Sequence, residues 1–399
     1  MAGDGLHIAF VGHTGHGKST LIGRLLHDTA GVGNGTDLAH LVDHLAEERD
    51  GGGTLDTTQA VFVTPLRHTV AIDAPGNRAL LAQMLTGTSQ AEAAVLVVDA
   101  ERGLDEQTRR HALLLHLLGV GACVVAVNKM DLVARSAARF EALRAAVERL
   151  LRARGLTMAA CVPASATCGD NVVAPSDAMP WYDGATLLEA IEAVDVVADE
   201  DRPARFVVQD AYGFDGEPIA VGRVEAGGVD EGDELLVLPD ARRARVVAIR
   251  RFHSRRTVAE VGECVGLVLS QGFVARRGQV LCDPAAPSRV ATRLRVRLFW
   301  LADGPLVLGE SLAAGIATQH ASARVEAIRC RADSATLEVL EAEATQLHAT
   351  EVADVELSLA QPLVVEAAAQ CPALGRVVLD RDGVAVGAGV VLADGWPAA

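Results

Sequence analysis

Through the first two hundred residues, short apolar runs alternate with stretches whose apolar positions recur every three or four residues. The runs Ile8–Val11, Val61–Thr64, Thr69–Ile72, Ala94–Val98, Cys123–Val127 and Ala159–Pro163 predict strands. Several are rich in Val, Ile and Ala without alternation, the pattern of strands covered on both faces. Phe140, Leu143, Val147, Leu150 and Leu151 mark one face of a helix, with Arg and Glu opposite, and the segments after Ser19 and from Leu187 to Val194 are also helical in spacing. This alternation predicts an α/β domain, a mostly parallel sheet with helices on both faces. The Gly-, His- and Asp-rich segment Gly31–Gly53, helical at Leu38–Glu48, is expected to be a mobile surface insertion.

The texture changes after the charged stretch Asp199-Glu200-Asp201-Arg202-Pro203. Short runs at Phe206–Gln209, Ala220–Val224, Glu234–Leu238, Arg245–Ile249 and Cys264–Leu269 are separated by turn pairs such as Asp215-Gly216, Gly227-Gly228 and Glu231-Gly232, which predicts a β-barrel. Asp283–Ser288, with two prolines, reads as a second linker. Beyond it Leu294–Trp300, Arg324–Ile328, Val352–Leu359, Arg376–Leu379 and Val384–Val391 predict another strand-rich domain. The expected domains are therefore 1–200, 203–286 and 289–399.

Composition narrows the function classes. Half of the 399 residues are apolar and 22% are charged, enough for large cores and against disorder. A net charge of −16 gives no global basic field for nucleic acid. Aromatics at 3% leave few stacking platforms, which also weighs against RNA. The seven cysteines are scattered with no CxxC pair, so a reduced cytoplasm fits better than a disulfide framework or zinc site. No apolar stretch has transmembrane length, and no membrane association is expected.

The candidate chemistry starts directly after the first predicted strand. Gly12-His13-Thr14-Gly15-His16-Gly17-Lys18-Ser19-Thr20 has the spacing of a P-loop. Glycines let backbone N–H groups wrap a polyphosphate, and the following helix presents its positive end to it. Lys18 would reach the β- and γ-phosphates and the Ser19 hydroxyl would sit on Mg2+. Asp73-Ala74-Pro75-Gly76 follows another strand, placing Asp73 for Mg2+ and the Gly76 N–H for the γ-phosphate. In Asn128-Lys129-Met130-Asp131 the Asp131 carboxylate can accept from guanine N1–H and N2–H2, where adenine has no donors. Ser165-Ala166 would back the base O6 with a backbone N–H. Four motifs in this order, each at the C-terminal end of a strand, define one ligand edge of a parallel sheet and predict GTP/GDP binding. Thr54, in Gly51–Asp56, is the candidate threonine that closes over Mg2+ with Ser19 and Asp73.

These residues, with Leu25-Leu26-His27-Asp28-Thr29, Gln107-Thr108-Arg109-Arg110-His111, Gly169-Asp170-Asn171 and Met179-Pro180-Trp181-Tyr182, carry a resemblance. The chain resembles translation-factor-type GTPases of the elongation factor Tu/1-alpha kind, and within them the large GTP-hydrolysing subunit of bacterial sulfate adenylyltransferase (ATP sulfurylase). The resemblance implies a G domain followed by two β-barrels. It also implies a smaller adenylyltransferase subunit as partner, in a heteromer that couples GTP hydrolysis to the uphill formation of adenylyl sulfate from ATP and sulfate. Two other readings remain: a GTPase delivering aminoacyl-tRNA, and a GTP-sensing scaffold for another adenylylating or sulfur-transfer enzyme.

The departures from that family fall on hydrolysis. Its switch II reads Asp-Thr-Pro-Gly-His, and the histidine that positions the attacking water is replaced here by Asn77. An amide holds a water but cannot take the charge of an imidazolium. Gly15, Thr14 and Gly53 also stand where relatives carry acidic or apolar residues. Asn77, Lys18 and Thr54 are thus the catalytic candidates, in a protein expected to bind GTP normally and hydrolyse it slowly or only with its partner. His13 and His16 have no cysteine or third histidine at metal spacing and read as loop histidines beside the nucleotide. Trp181 and Tyr182 are expected to pack between the G domain and a barrel. Arg242-Arg243, Arg250-Arg251 and Arg255-Arg256 read as a solvated strand face, with RNA contact the alternative.

Overall fold

The structure, a computed structural model, describes residues 6–30, 58–63, 68–73, 93–117, 119–120, 122–194, 202–214, 217–251, 256–270 and 273–393. The insertion expected at Gly31–Gly53, and Thr54, Gly76 and Asn77, lie outside the described residues. Two compact units are present, one of Met1–Val196 with Ser334–Glu338 and one of Val197–Asp333 with Val339–Ala399.

In the first unit, β1 (Leu6–Val11), β2 (Thr58–Val63), β3 (His68–Asp73), β4 (Ala93–Asp99), β5 (Ala122–Asn128) and β6 (Thr157–Pro163) form one sheet in the order β2-β3-β1-β4-β5-β6. Only the β2–β3 pairing is antiparallel. Pairing runs past the apolar runs into polar flanks such as Thr58, Gln59 and His68, because backbone groups pair whatever side chain they carry. Every residue of β4 is buried, as its unalternating Val/Ala pattern requires.

Ile8, Phe10, Val95, Val97, Val124 and Ala126 share a core with Leu21, Ile22 and Leu25 of α1 (Lys18–Ala30) and with Leu187 and Ile191 further along. The alternate residues Ala9, Val11, Leu96, Val98, Val125 and Val127 are equally buried and point to the opposite face. Helix α2 (Glu106–Leu117) lies against β4, and α3 (Ala137–Ala153) against β5 and β6 through its expected apolar face. A reciprocal cap between Thr186 and Glu189 starts the short α4 (Leu187–Glu192). Trp181 and Tyr182 pack within the first unit. Their rings lie 5.6 and 5.9 Å from that of Phe140, Trp181 Nε1 donates to Arg135 O, and Tyr182 packs on the first unit's own core.

The second unit holds the two barrels. Strands 205–214, 217–226, 234–238, 242–250, 264–269 and 280–282 form a closed antiparallel barrel around Phe206, Leu235, Val237, Leu267 and Leu281. In the second, Ser311–Ile316 pairs with both Arg376–Arg381 and Gln319–Asp333, which closes a ring through 351–365, 289–300 and 384–391. Trp300 and Leu298 lie in its core. The basic stripe is largely neutralised: Arg243 pairs with Glu234, Arg251 with Glu263 and Arg256 with Glu260, while Arg242 covers the Phe273 ring. All seven cysteines are free thiols. Among the described residues no helix is long and apolar enough to cross a membrane.

Candidate nucleotide site

Chain order reverses around β1, since β3 and β4 lie on its two sides, and that switch point is where an open parallel sheet has a crevice. The loop leaving β1 fills it. Gly12, Gly15 and Gly17 have φ of +148°, +81° and +89°. A Cβ on Gly12 would lie 2.5 Å from Val97 O, and one on Gly17 2.5 Å from Asn128 Nδ2, so both conformation and space demand glycine. The first turn of α1 is closed by Leu21 N donating to Gly17 O at 2.9 Å.

Lys18 is 6% exposed and donates to Gly12 O at 3.1 Å, so its ammonium is held inside the loop. Burial lowers its pKa, opposed by the Asp73 carboxylate. Ser19 Oγ donates to Asp73 Oδ2 at 2.5 Å, which brings the two described Mg2+ candidates together. Their donor set, a hydroxyl and a carboxylate, is of the hard-oxygen kind that Mg2+ takes. His13 and Thr14 line the loop, and Thr20 is half-buried in the first turn of α1.

The second cluster lies at the ends of β5 and β6. Asn128 Nδ2 donates to His16 O at 2.9 Å and its Oδ1 accepts from Ala166 N at 3.0 Å, joining the phosphate loop to the Ser165-Ala166 loop. Of the Ser165-Ala166 pair expected to offer a backbone N–H to the base O6, the Ala166 N–H is thus engaged by Asn128. Lys129 has φ +65°, donates to Gly15 O at 2.5 Å and pairs with Asp99 at 2.8 Å. Burial opposes the Asp99 charge, but Lys129 and the N–H groups of Arg102 and Glu101 hold its pKa below the usual range. Asp131 Oδ1 accepts from Ser165 Oγ at 2.6 Å. Arg24 of α1 donates to Ala166 O at 2.9 Å and Thr167 O at 2.8 Å, pinning the same loop from below. Asp99 and Arg24 carry no motif of their own, and only the folded sheet brings them here.

The structure adds what spacing concealed about the loop histidines. Asp105, which ends the loop after β4, approaches both: its Oδ2 lies 3.5 Å from His16 Nε2 and 3.9 Å from His13 Nδ1. His111, one and a half turns into α2, is fully buried with no hydrogen-bond partner on either ring nitrogen among the described residues. Its pKa falls from 6.5 to about 3, through burial first and the Lys18 charge second. A base whose folded pKa is depressed is neutral in the fold, so its stabilisation is complete above pH 6.5 and is lost as pH falls towards 3. At pH 5 this loss is about 2 kcal/mol. Urea titrations at pH 7.5 and pH 5 in the presence of chelator are expected to show that drop for the first unit in the native chain. The drop should be smaller by that amount in His111→Leu.

Fold and site together define a P-loop protein of the α/β class with its ligand edge at the β1 switch point. The model of the elongation factor Tu GTP binding domain matches residues 4–197, and that of the GTP-eEF1A C-terminal domain matches 293–392. Sulfate adenylyltransferase subunit 1 of Laribacter hongkongensis (strain HLHK9) is 35% identical over 97% of this chain and 85% of its own length. Elongation factor 1-alpha of Pyrococcus abyssi (strain GE5 / Orsay) is 34% identical over 97% of both chains. A crystal structure of Sup35 complexed with GMPPNP superposes with a TM-score of 0.48 at 26% identity, covering 98% of this chain and 94% of that one. The chain belongs to the elongation factor Tu/1-alpha superfamily of GTP-binding proteins, and it is a GTPase.

Proposed function

We propose that this GTPase is the regulatory large subunit of a sulfate adenylyltransferase, working with a smaller catalytic subunit that joins ATP and sulfate into adenylyl sulfate and pyrophosphate. The observation that carries this reading is the 35% identity to a sulfate adenylyltransferase subunit 1 along 97% of the chain. The Leu25–Thr29 and Gln107–His111 stretches and the glutamate-paired arginines of the first barrel support it over delivery of aminoacyl-tRNA. The reading divides the chain at 1–200, 203–286 and 289–399.

In this reading the N–H groups from Gly12 to Thr20 cradle the polyphosphate and Lys18 turns from Gly12 O to the β- and γ-phosphates. Ser19 and Asp73, with Thr54, would hold Mg2+, which would supply positive charge beside the phosphates. Asp131 reads guanine N1–H and N2–H2, while Asn128, Lys129, Ser165 and Ala166 shape the base pocket. Gly76 senses the γ-phosphate, and Asn77 orients the water without gaining charge, so turnover by the isolated chain is slow.

The test mixes the chain with an adenylyltransferase small subunit from its own host and measures pyrophosphate and adenylyl sulfate with and without GTP. GTP-dependent product is expected. Product formation indifferent to GTP, with aminoacyl-tRNA retained by the GTP-analogue state, overturns the proposal in favour of tRNA delivery. Asn77→His is expected to raise GTP turnover at least about tenfold at unchanged GDP affinity. Equal turnover by the two proteins removes Asn77 from the catalytic role.

A further inference from the structure

We propose that His13, His16 and Asp105 form a binding site for a zinc-class transition-metal dication, separate from the Mg2+ site and bridging the phosphate loop to the start of α2. One ligand atom from each of the three lies within 4.8 Å of those of the other two, a spacing that a single ion can span. Two imidazoles and a carboxylate are the donor set that borderline dications prefer, whereas Mg2+ selects oxygen alone.

His16 and Asp105 are already oriented for that use. His16 is fully buried, and its Nδ1 lies 3.2 Å from Val97 O, which accepts its hydrogen. That contact fixes the tautomer and leaves the lone pair on Nε2, the atom that has no hydrogen-bond partner among the described residues and lies 3.5 Å from Asp105 Oδ2. A backbone carbonyl behind the remote nitrogen is the usual support of a metal-ligating histidine. Asp105 divides its two oxygens: Oδ1 accepts from Thr108 N and Oγ1, both at 2.7 Å, as the cap of α2, which leaves Oδ2 towards the histidines. His13 Nδ1 lies 2.6 Å from Thr14 O, and its ring centre is 5.3 Å from that of His16. Three protein donors leave at least one coordination position for water or an anion.

The test uses the full chain without a histidine tag, loaded with GDP and excess Mg2+ so that the Ser19–Asp73 pair is satisfied. Titration with Co2+ alone is expected to give one equivalent of visible d–d absorption, bleached by Zn2+. Asp105→Ser keeps an oxygen for the α2 cap but removes the carboxylate, and His13→Gln removes a partly exposed ligand. Each is expected to weaken Co2+ binding at least about tenfold. Retained binding of a fluorescent GDP analogue by Asp105→Ser shows that the fold is intact. No absorption change in the native chain, or equal Co2+ affinity in the native chain and Asp105→Ser, overturns the site.

Discussion

Lys18→Met is expected to weaken GTP and GDP binding about a thousandfold while leaving the nucleotide-free protein within about 1 kcal/mol of its original stability. The two halves of this expectation have different causes. Charge-assisted hydrogen bonds contribute about 1.5–3 kcal/mol each, and losing two towards the phosphates gives about 4 kcal/mol, or roughly three powers of ten. Without nucleotide the same ammonium is buried and bonded mainly to Gly12 O, and burial already lowers its pKa. Methionine fills the stem's volume and sheds that desolvation cost, offset by about 1 kcal/mol for the carbonyl left unpaired. A fluorescent GDP titration beside a urea melt separates the two. An affinity within tenfold of the native value means that Lys18 does not reach the phosphates.

The second large effect is expected at the base. Asp131→Asn should lower GDP affinity about a hundredfold, because the substituted amide turns one acceptor into a donor facing the N1–H and N2–H2 donors of guanine. The loop itself should persist, since asparagine Oδ1 can still accept from Ser165 Oγ and Met130 N still donates to Ala164 O. Inosine diphosphate, which lacks the 2-amino group, gives the sharper readout. The native protein should prefer GDP over it by about tenfold, one hydrogen bond's worth, and Asp131→Asn should lose most of that preference. If the preference survives, another residue reads the 2-amino group.

Much of this is legible in the sequence, for reasons that differ by element. Strands β4 and β5 are buried on both faces, so their apolar runs mark them directly, and the glycines of the phosphate loop mark a conformation other residues avoid. The face of α3 was readable because its period is local. Asp105 was not. It meets His13 and His16 only because parallel pairing of β1 with β4 brings their C-terminal ends side by side, and no spacing rule spans that distance. The same holds for Asp99 with Lys129 and for Arg24 under Ala166. Trp181 and Tyr182 meet Phe140 of α3 ring to ring, a contact between residues distant in the chain that no local period marks.

Asn128 has one further consequence, for the timing of nucleotide release. Its single side chain holds His16 O on one hand and Ala166 N on the other, in a buried setting where neither bond is readily exchanged for water. In the proposed reading of the site, the two ends of a bound nucleotide are therefore expected to let go as one event rather than in sequence. An exchange catalyst needs purchase on only one end: leverage on the loop around Thr167, at the surface, would be transmitted through this amide to the phosphates.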